Sequence, residues 1–146
     1  MNQNAPSSDF PLHDSVEDAF GNFRSFIITC DDLPLGFVVR AVEEGKDGLG
    51  YEFSSFSETS PYNALWALRQ TMHRALATRH ITKQDNRYRM MHDSIQGRIT
   101  WSEEKGLVLV VDGIPLDMDD LAGILKTHEG WQFRLQIADA YEDFSR

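Results

Sequence analysis

Five histidines, one cysteine and several clustered carboxylates are the residues of this 146-residue chain best suited to chemistry. An imidazole beside a carboxylate, as in His128-Glu129, can carry protons. Adjacent side chains on a helix diverge by about 100°, and a histidine near a helix C-terminus is already favoured by the helix dipole. Asp117, Asp119 and Asp120 fall at an expected helix start, where capping and the dipole account for carboxylates. His13, His73, His80, His92 and His128 show no metal-ligand spacing. His73 and His80 stand about 10 Å apart along one expected helix, too far for a single ion. Cys30 ends an apolar stretch beside Asp31 and Asp32, whose charges raise a thiol pKa and disfavour thiolate, so a structural cysteine is expected. No G-x-S-x-G elbow, P-loop or dinucleotide fingerprint is present. No catalytic residue, metal site or cofactor is therefore assigned.

The sharper signal is a charge asymmetry. Residues 69–98 hold Arg69, Arg74, Arg79, Lys83, Arg87, Arg89 and Arg98 against Asp85 and Asp93, a local balance of +5 in a chain of net charge -9. A basic patch on an acidic body suits an acidic protein partner or a phosphate-bearing ligand. Nucleic acid fits less well, because only Tyr88 is available for base stacking and the surrounding carboxylates repel a polyanion. The plainer alternative is a solvated face neutralised by the chain's own acids. Trp66 lies about 100° from Leu65, off the buried stripe of its helix and near Tyr62 and His73. It either packs under the N-terminal tail or anchors a partner.

Positioning these groups requires a fold. At this length the chain is long enough for a single core without staples, and nine Phe, three Trp and four Tyr supply large core side chains. One cysteine excludes an internal disulfide framework. No apolar run reaches the roughly 18–20 residues needed to cross a bilayer, and MNQNAPSSDF has neither the basic start nor the apolar run of a secretory signal. A reducing, cytoplasmic setting without membrane contact is expected.

Residues 1–22 are expected to form a flexible tail, with Val16, Ala19 and Phe20 on at most one helical turn. Residues 26–29 and 36–42 read as strands around the turn-forming Asp31-Asp32-Leu33-Pro34. A second turn at 44–48 leads to Leu49, Tyr51 and Phe53 at strand spacing. Ser60 caps and Pro61 opens a helix whose buried stripe is Leu65, Leu68, Met72, Ala75 and Leu76, running to about Arg79. Ile95, Gly97, Ile99 and Trp101 alternate with polar residues, and 107–111 is an apolar run suited to a central strand. Asp112-Gly113 signals a turn, Asp117 caps a helix over 118–128, and Gly130 terminates it. Trp131, Phe133, Leu135 and Ile137 alternate with Gln132, Arg134 and Gln136, the cleanest strand pattern in the chain. The expected architecture is α+β: a mainly antiparallel sheet of about six strands with two helices, in the order β-β-β-α-β-β-α-β. It forms a single domain over 23–140, followed by a C-terminal tail over 141–146.

The series Ile95-x-Gly97-Arg98-Ile99-x-Trp101, Val110-Val111-Asp112-Gly113 and Glu129-Gly130-Trp131-Gln132-Phe133-x-Leu135-x-Ile137 resembles a family of uncharacterised bacterial domains. The likeness extends upstream through Gly50-Tyr51-x-Phe53 and the helix from Pro61, covering 49–137. The resemblance implies a bacterial intracellular protein and brings no activity with it.

The expected function is a non-catalytic interaction or regulatory module using Arg74, Arg79, Arg98, Arg134 and Trp66. If 95–101 and 131–137 are neighbouring strands, Arg98 and Arg134 share one sheet face and can grip carboxylate or phosphate. The alternatives are a hydrolase or nuclease-like enzyme using Asp112, Glu129 and the basic segment, or nucleic-acid binding without catalysis through Arg74, Arg79 and Arg98.

Overall fold

The computed structural model describes residues 9–140. The chain divides into two compact units, one holding the segments up to Gly48, Glu52–Ala77 and 137–140, the other Leu49–Tyr51 and Thr78–Gln136.

The first unit is a four-stranded antiparallel meander under one helix. Strands β1 (Leu12–Glu17), β2 (Phe23–Leu33), β3 (Gly36–Glu43) and β4 (Glu52–Ser57) pair in chain order, and α1 spans Pro61–Leu76. Alternation gives β2 and β3 one apolar face, and α1 covers it. Val16, Phe26, Ile28, Val39 and Ala41 from the sheet, with Leu65, Leu68, Met72 and Leu76 from the helix, are buried. Ser60 caps α1 as expected, accepting from the Tyr62 and Asn63 N–H groups. Arg69 on α1 grips Asp14 on β1 through two bonds of 2.8 and 2.9 Å.

The second unit is built from two small sheets and a helix. Strands β5 (Ile81–Gln84) and β6 (Arg87–Met90) form a hairpin, while β7 (Arg98–Ser102), β8 (Gly106–Val111) and β9 (Ile114–Leu116) form a three-stranded sheet centred on β8. Helix α2 spans Met118–Lys126 and packs on β6 and β9. Its start is a full capping box: the Asp120 N–H donates to Asp117 Oδ1 at 2.8 Å, and the Asp117 N–H donates to Asp120 Oδ2 at 3.1 Å. Ile81, Val111, Leu116 and Ile124 make the buried core, with Tyr88, Met90 and Leu109 against it. Gly97 precedes β7 where a Cβ would stand 2.1 Å from the Val110 carbonyl oxygen, so no larger residue fits.

Several expectations are corrected. The α+β class, the two helices and antiparallel pairing hold, but the described residues form nine strands in three sheets rather than one six-stranded sheet. The expected tail over 1–22 contains β1, because Leu12 and Val16 find a partner in β2; residues 1–8 and 141–146 lie outside the described residues. Helix α1 stops at Leu76, ahead of the expected Arg79, and α2 at Lys126 rather than residue 128.

The largest correction concerns 131–137, which forms no strand and leaves Trp131, Phe133, Leu135 and Ile137 exposed, Phe133 at 89%. Alternation specifies a pleated segment but supplies no neighbour to pair with it. In β7 the two faces are exchanged relative to expectation. Arg98 and Thr100 are half-buried opposite Val110 and Val108, while Ile99 and Trp101 face outward. The continuous apolar run in β8 conceals which of its faces is covered, and the register through Gly106 (φ 77°) puts Arg98 and Thr100 on the side of the buried Val108 and Val110.

Candidate interaction surface

Asp112 is the most strongly organised polar group of the second unit. It sits at the β8–β9 turn with φ 55°, followed by Gly113 at 74°, a pair of left-handed residues suited to a two-residue hairpin. The His80 and Ile81 N–H groups donate to its Oδ2 at 2.8 and 3.0 Å, and His80 Nδ1 lies 2.9 Å from Oδ1. The guanidinium of Arg79 stands 3.4 Å from Oδ2. Burial pushes the carboxyl pKa up, but the bonds from the His80 ring and from the Ile81 and His80 backbone outweigh it and hold the pKa below the ordinary aspartate value. With its side chain 1% exposed, Asp112 latches 79–81 onto the β8–β9 turn.

The first unit has a comparable centre. Asp18 Oδ1 accepts from the Phe20 and Asn22 N–H groups at 2.9 and 3.0 Å. Arg24 bridges Asp18 and Glu43 at 3.2 and 2.9 Å. Burial raises the Asp18 pKa, yet the backbone bonds and Arg24 lower it further, to a net depression. Cys30 is half-buried, and burial, Asp31 and Asp32 all push its thiol pKa up. The Asp18 carboxylate thus holds the backbone at Phe20 and Asn22, as Asp112 holds that at His80 and Ile81. Among the described residues no three His, Cys, Asp or Glu side chains converge as metal ligands, and no helix is long and apolar enough to cross a membrane. A shallow cleft of about 260 Å³ between the β5–β6 hairpin and α2 is lined by Arg87, Tyr88, Asp120 and Lys126, among others.

The sequence-selected residues separate. Trp66 and Arg74 lie exposed on α1 in the first unit, with Tyr62, half-exposed, donating its hydroxyl to Asp9. Arg79, Arg98 and Arg134 belong to the second unit. Arg79 is taken up by Asp112, and Arg98 donates to the Gly50 carbonyl at 2.8 Å. Arg134 is exposed on a segment without strand pairing, so the sheet face expected to carry Arg98 and Arg134 together does not form. The basic run over 69–98 is likewise divided, with Arg69 on Asp14 and Arg79 on Asp112. His128, beside Glu129, points its Nδ1 toward the Ile124 carbonyl, and its ring meets Trp131 edge-on at 5.0 Å.

What sequence reasoning missed is apolar surface. Trp66 and Trp101 are each 68% exposed and Trp131 is 72% exposed, which accounts for every tryptophan in the chain. Ile99 and Leu107 lie outward with Trp101 on one face of the β7–β8 pair. Only the loop register could have placed them there, since the alternation of β7 fits either face.

Residues 8–77 match the family of a domain of unknown function (DUF7686). No curated protein and no solved structure matches the chain. Residues 80–142 match a second domain of unknown function (DUF7713), so the chain is similar along its length to two uncharacterised domain families in tandem, which meet where α1 ends.

Proposed function

We propose that the chain is a non-catalytic interaction or regulatory module, working in a reducing cytoplasmic setting and receiving an acidic protein partner on exposed aromatic surface. The observation that supports this reading is the exposure of all three tryptophans. Tryptophan is highly buried on average in folded chains and is enriched among the residues that dominate binding energy at interfaces. The buried carboxylates Asp18 and Asp112 are engaged by internal donors, which supports a structural use of these two groups. Arg74 and Arg134 are exposed cations on a chain of net charge -9, suited to carboxylate or phosphate on a partner.

The test is to identify a partner by capture on the immobilised chain, purify it, and titrate it against Trp66→Ala and Arg74→Ala. Trp66→Ala is expected to weaken binding by about 30-fold, the loss of a 2 kcal/mol anchor, with an unchanged unfolding midpoint. Undiminished affinity in both variants overturns the reading. Salt-sensitive retention of the chain on a nucleic-acid column favours nucleic-acid binding instead, and marked stabilisation by a divalent metal favours the hydrolase or nuclease alternative.

A further inference from the structure

The segment 131–137 carries strand alternation without a strand. Gly130, at φ 90°, closes the turn that follows α2, and the Trp131 N–H donates to the His128 carbonyl at 2.9 Å. The edge-on contact with His128 fixes the first side chain of the segment. Beyond that anchor every residue to Ile137 is exposed, and in the sequence Phe133, Leu135 and Ile137 alternate with Gln132, Arg134 and Gln136. Strand β7 is the complementary feature. Among the described strands it pairs with β8 alone, on one side. Its outward row is Ile99 and Trp101, extended by Leu107, which pairs with Trp101 across the ladder; its other row is Arg98 and Thr100. An apolar row and a polar row thus stand on each element in the same alternating order.

We infer that residues 131–137 pair with the free edge of β7 in a second copy of this chain, adding a fourth strand to its β7–β8–β9 sheet, and that the exchange is reciprocal. Trp131, Phe133, Leu135 and Ile137 extend the apolar face begun by Ile99, Trp101 and Leu107, while Gln132, Arg134 and Gln136 fall beside Arg98 and Thr100. Main-chain bonds along an open edge supply affinity, and the alternating side chains supply register. A reciprocal exchange is self-complementary, as a two-fold dimer requires.

The area is sufficient. Trp101, Trp131 and Phe133 together offer on the order of 500 Å² per chain, from the 150–250 Å² that each aromatic buries and their large exposed fractions. Two copies therefore come to about the 1,000 Å² that a specific interface needs, and Ile99, Leu107, Leu135 and Ile137 add to it. This interface uses none of the residues of the partner surface at Trp66, and neither needs the other.

The experiment is sedimentation equilibrium of the full chain across a range of concentrations, with amide hydrogen exchange on the same samples. The wild-type chain should reach twice the chain mass of 16.7 kDa, with amide protection over 131–137 that rises with concentration. The double variant Phe133→Ser, Leu135→Ser should remain monomeric with an unchanged circular dichroism spectrum, since neither side chain belongs to a core. Trp101→Ser, on the receiving strand, should also remain monomeric and leave 131–137 unprotected. A wild-type chain that is monomeric throughout overturns the inference, whether 131–137 is unprotected or is protected by folding back within its own chain. A dimer that survives both variants overturns it equally.

Discussion

In the first unit, α1 lays Leu65, Leu68, Met72 and Leu76 over Phe26, Ile28, Val39 and Ala41, and the buried ion pairs of Arg24 sit beside that core. In the second, the core cluster is Ile81, Val111, Leu116 and Ile124, while its bulkiest apolar residues, Trp101, Trp131 and Phe133, lie outside. A long amphipathic helix over a meander closes its own apolar face. A nine-residue helix over short strands closes much less, so Asp112 and the capping box carry more of the folding and Trp101, Trp131 and Phe133 stay exposed. The comparison makes stability in the first unit a matter of volume and in the second a matter of polar bonds.

Volume should give the largest effect. Phe26→Ala removes a fully buried ring in contact with Phe53 and is expected to destabilise the first unit by about 3–5 kcal/mol. Chemical denaturation with separate probes for the two units is the measurement. A loss under 1 kcal/mol would mean that the meander does not depend on its covered face.

Next comes the Asp112 latch. Asp112→Ala strands two backbone N–H groups, the His80 ring and the Arg79 guanidinium. Removing one member of a buried pair costs about 3–5 kcal/mol, with the lower end expected because Arg79 and His80 are each slightly exposed. Asp112→Asn keeps an acceptor oxygen and tolerates the left-handed backbone, so it should cost less. The pH dependence follows from the depressed carboxyl pKa. The unfolded chain binds the proton more readily, so the contribution is complete above the ordinary aspartate value of about 3.9 and is lost as pH falls below it through the folded value. Asp18 gives the first unit a dependence of the same sign. Asp112→Asn should therefore flatten the acid limb of the second unit alone. An unchanged acid limb in that variant assigns the dependence to other groups.

The cap on α2 is expected to contribute less. Asp117→Ala breaks one of two reciprocal bonds and should cost about 0.5–2 kcal/mol. A larger loss would place Asp117 inside the polar framework of the second unit rather than at one helix end.

How much of this was legible in the sequence varies with how local the signal is. Ser60-Pro61, Asp117 and Asp112-Gly113 act through backbone groups a few residues away, and each does what its type predicts. The stripe on α1 is buried at Leu65, Leu68, Met72 and Leu76 and half-buried at Ala75, because a helical face needs only one surface to cover it. The Asp85-Asn86 turn, with φ 52° and 61°, was a readable hairpin signal between Ile-Thr-Lys-Gln and Arg-Tyr-Arg-Met that the charge of the segment obscured. Hairpin partners were legible from their turns, as for β2–β3, β3–β4 and β7–β8, whereas pairing and facing across greater separations are decided by residues distant in sequence. For that reason the face of β7 was exchanged, the second role of Asp112 in tying down 79–81 was missed, and 131–137 was assigned to a sheet that does not hold it. The candidate surface at Trp66 was visible from its angle on α1, whereas the one at Trp101 depended on register.

The smallest stability effect is the most discriminating. Were 131–137 an internal strand, Phe133→Ala would cost about 3–5 kcal/mol at any concentration. With Phe133 at 89% exposure, the change in the isolated chain should stay within about 0.5 kcal/mol, as for surface positions generally. Reciprocal pairing adds a signature that neither a core residue nor an inert surface residue gives. A dimer binds the native chain and not the unfolded one, so it stabilises by mass action and the unfolding midpoint rises with protein concentration. Wild type and Phe133→Ala should unfold together in dilute solution and separate as concentration increases, with wild type the more stable. Curves that coincide at every concentration would leave the exposed row inert, and curves separated by a constant amount would return Phe133 to a core. The slope of the difference against concentration therefore decides whether the second unit is closed by its own chain or by another copy.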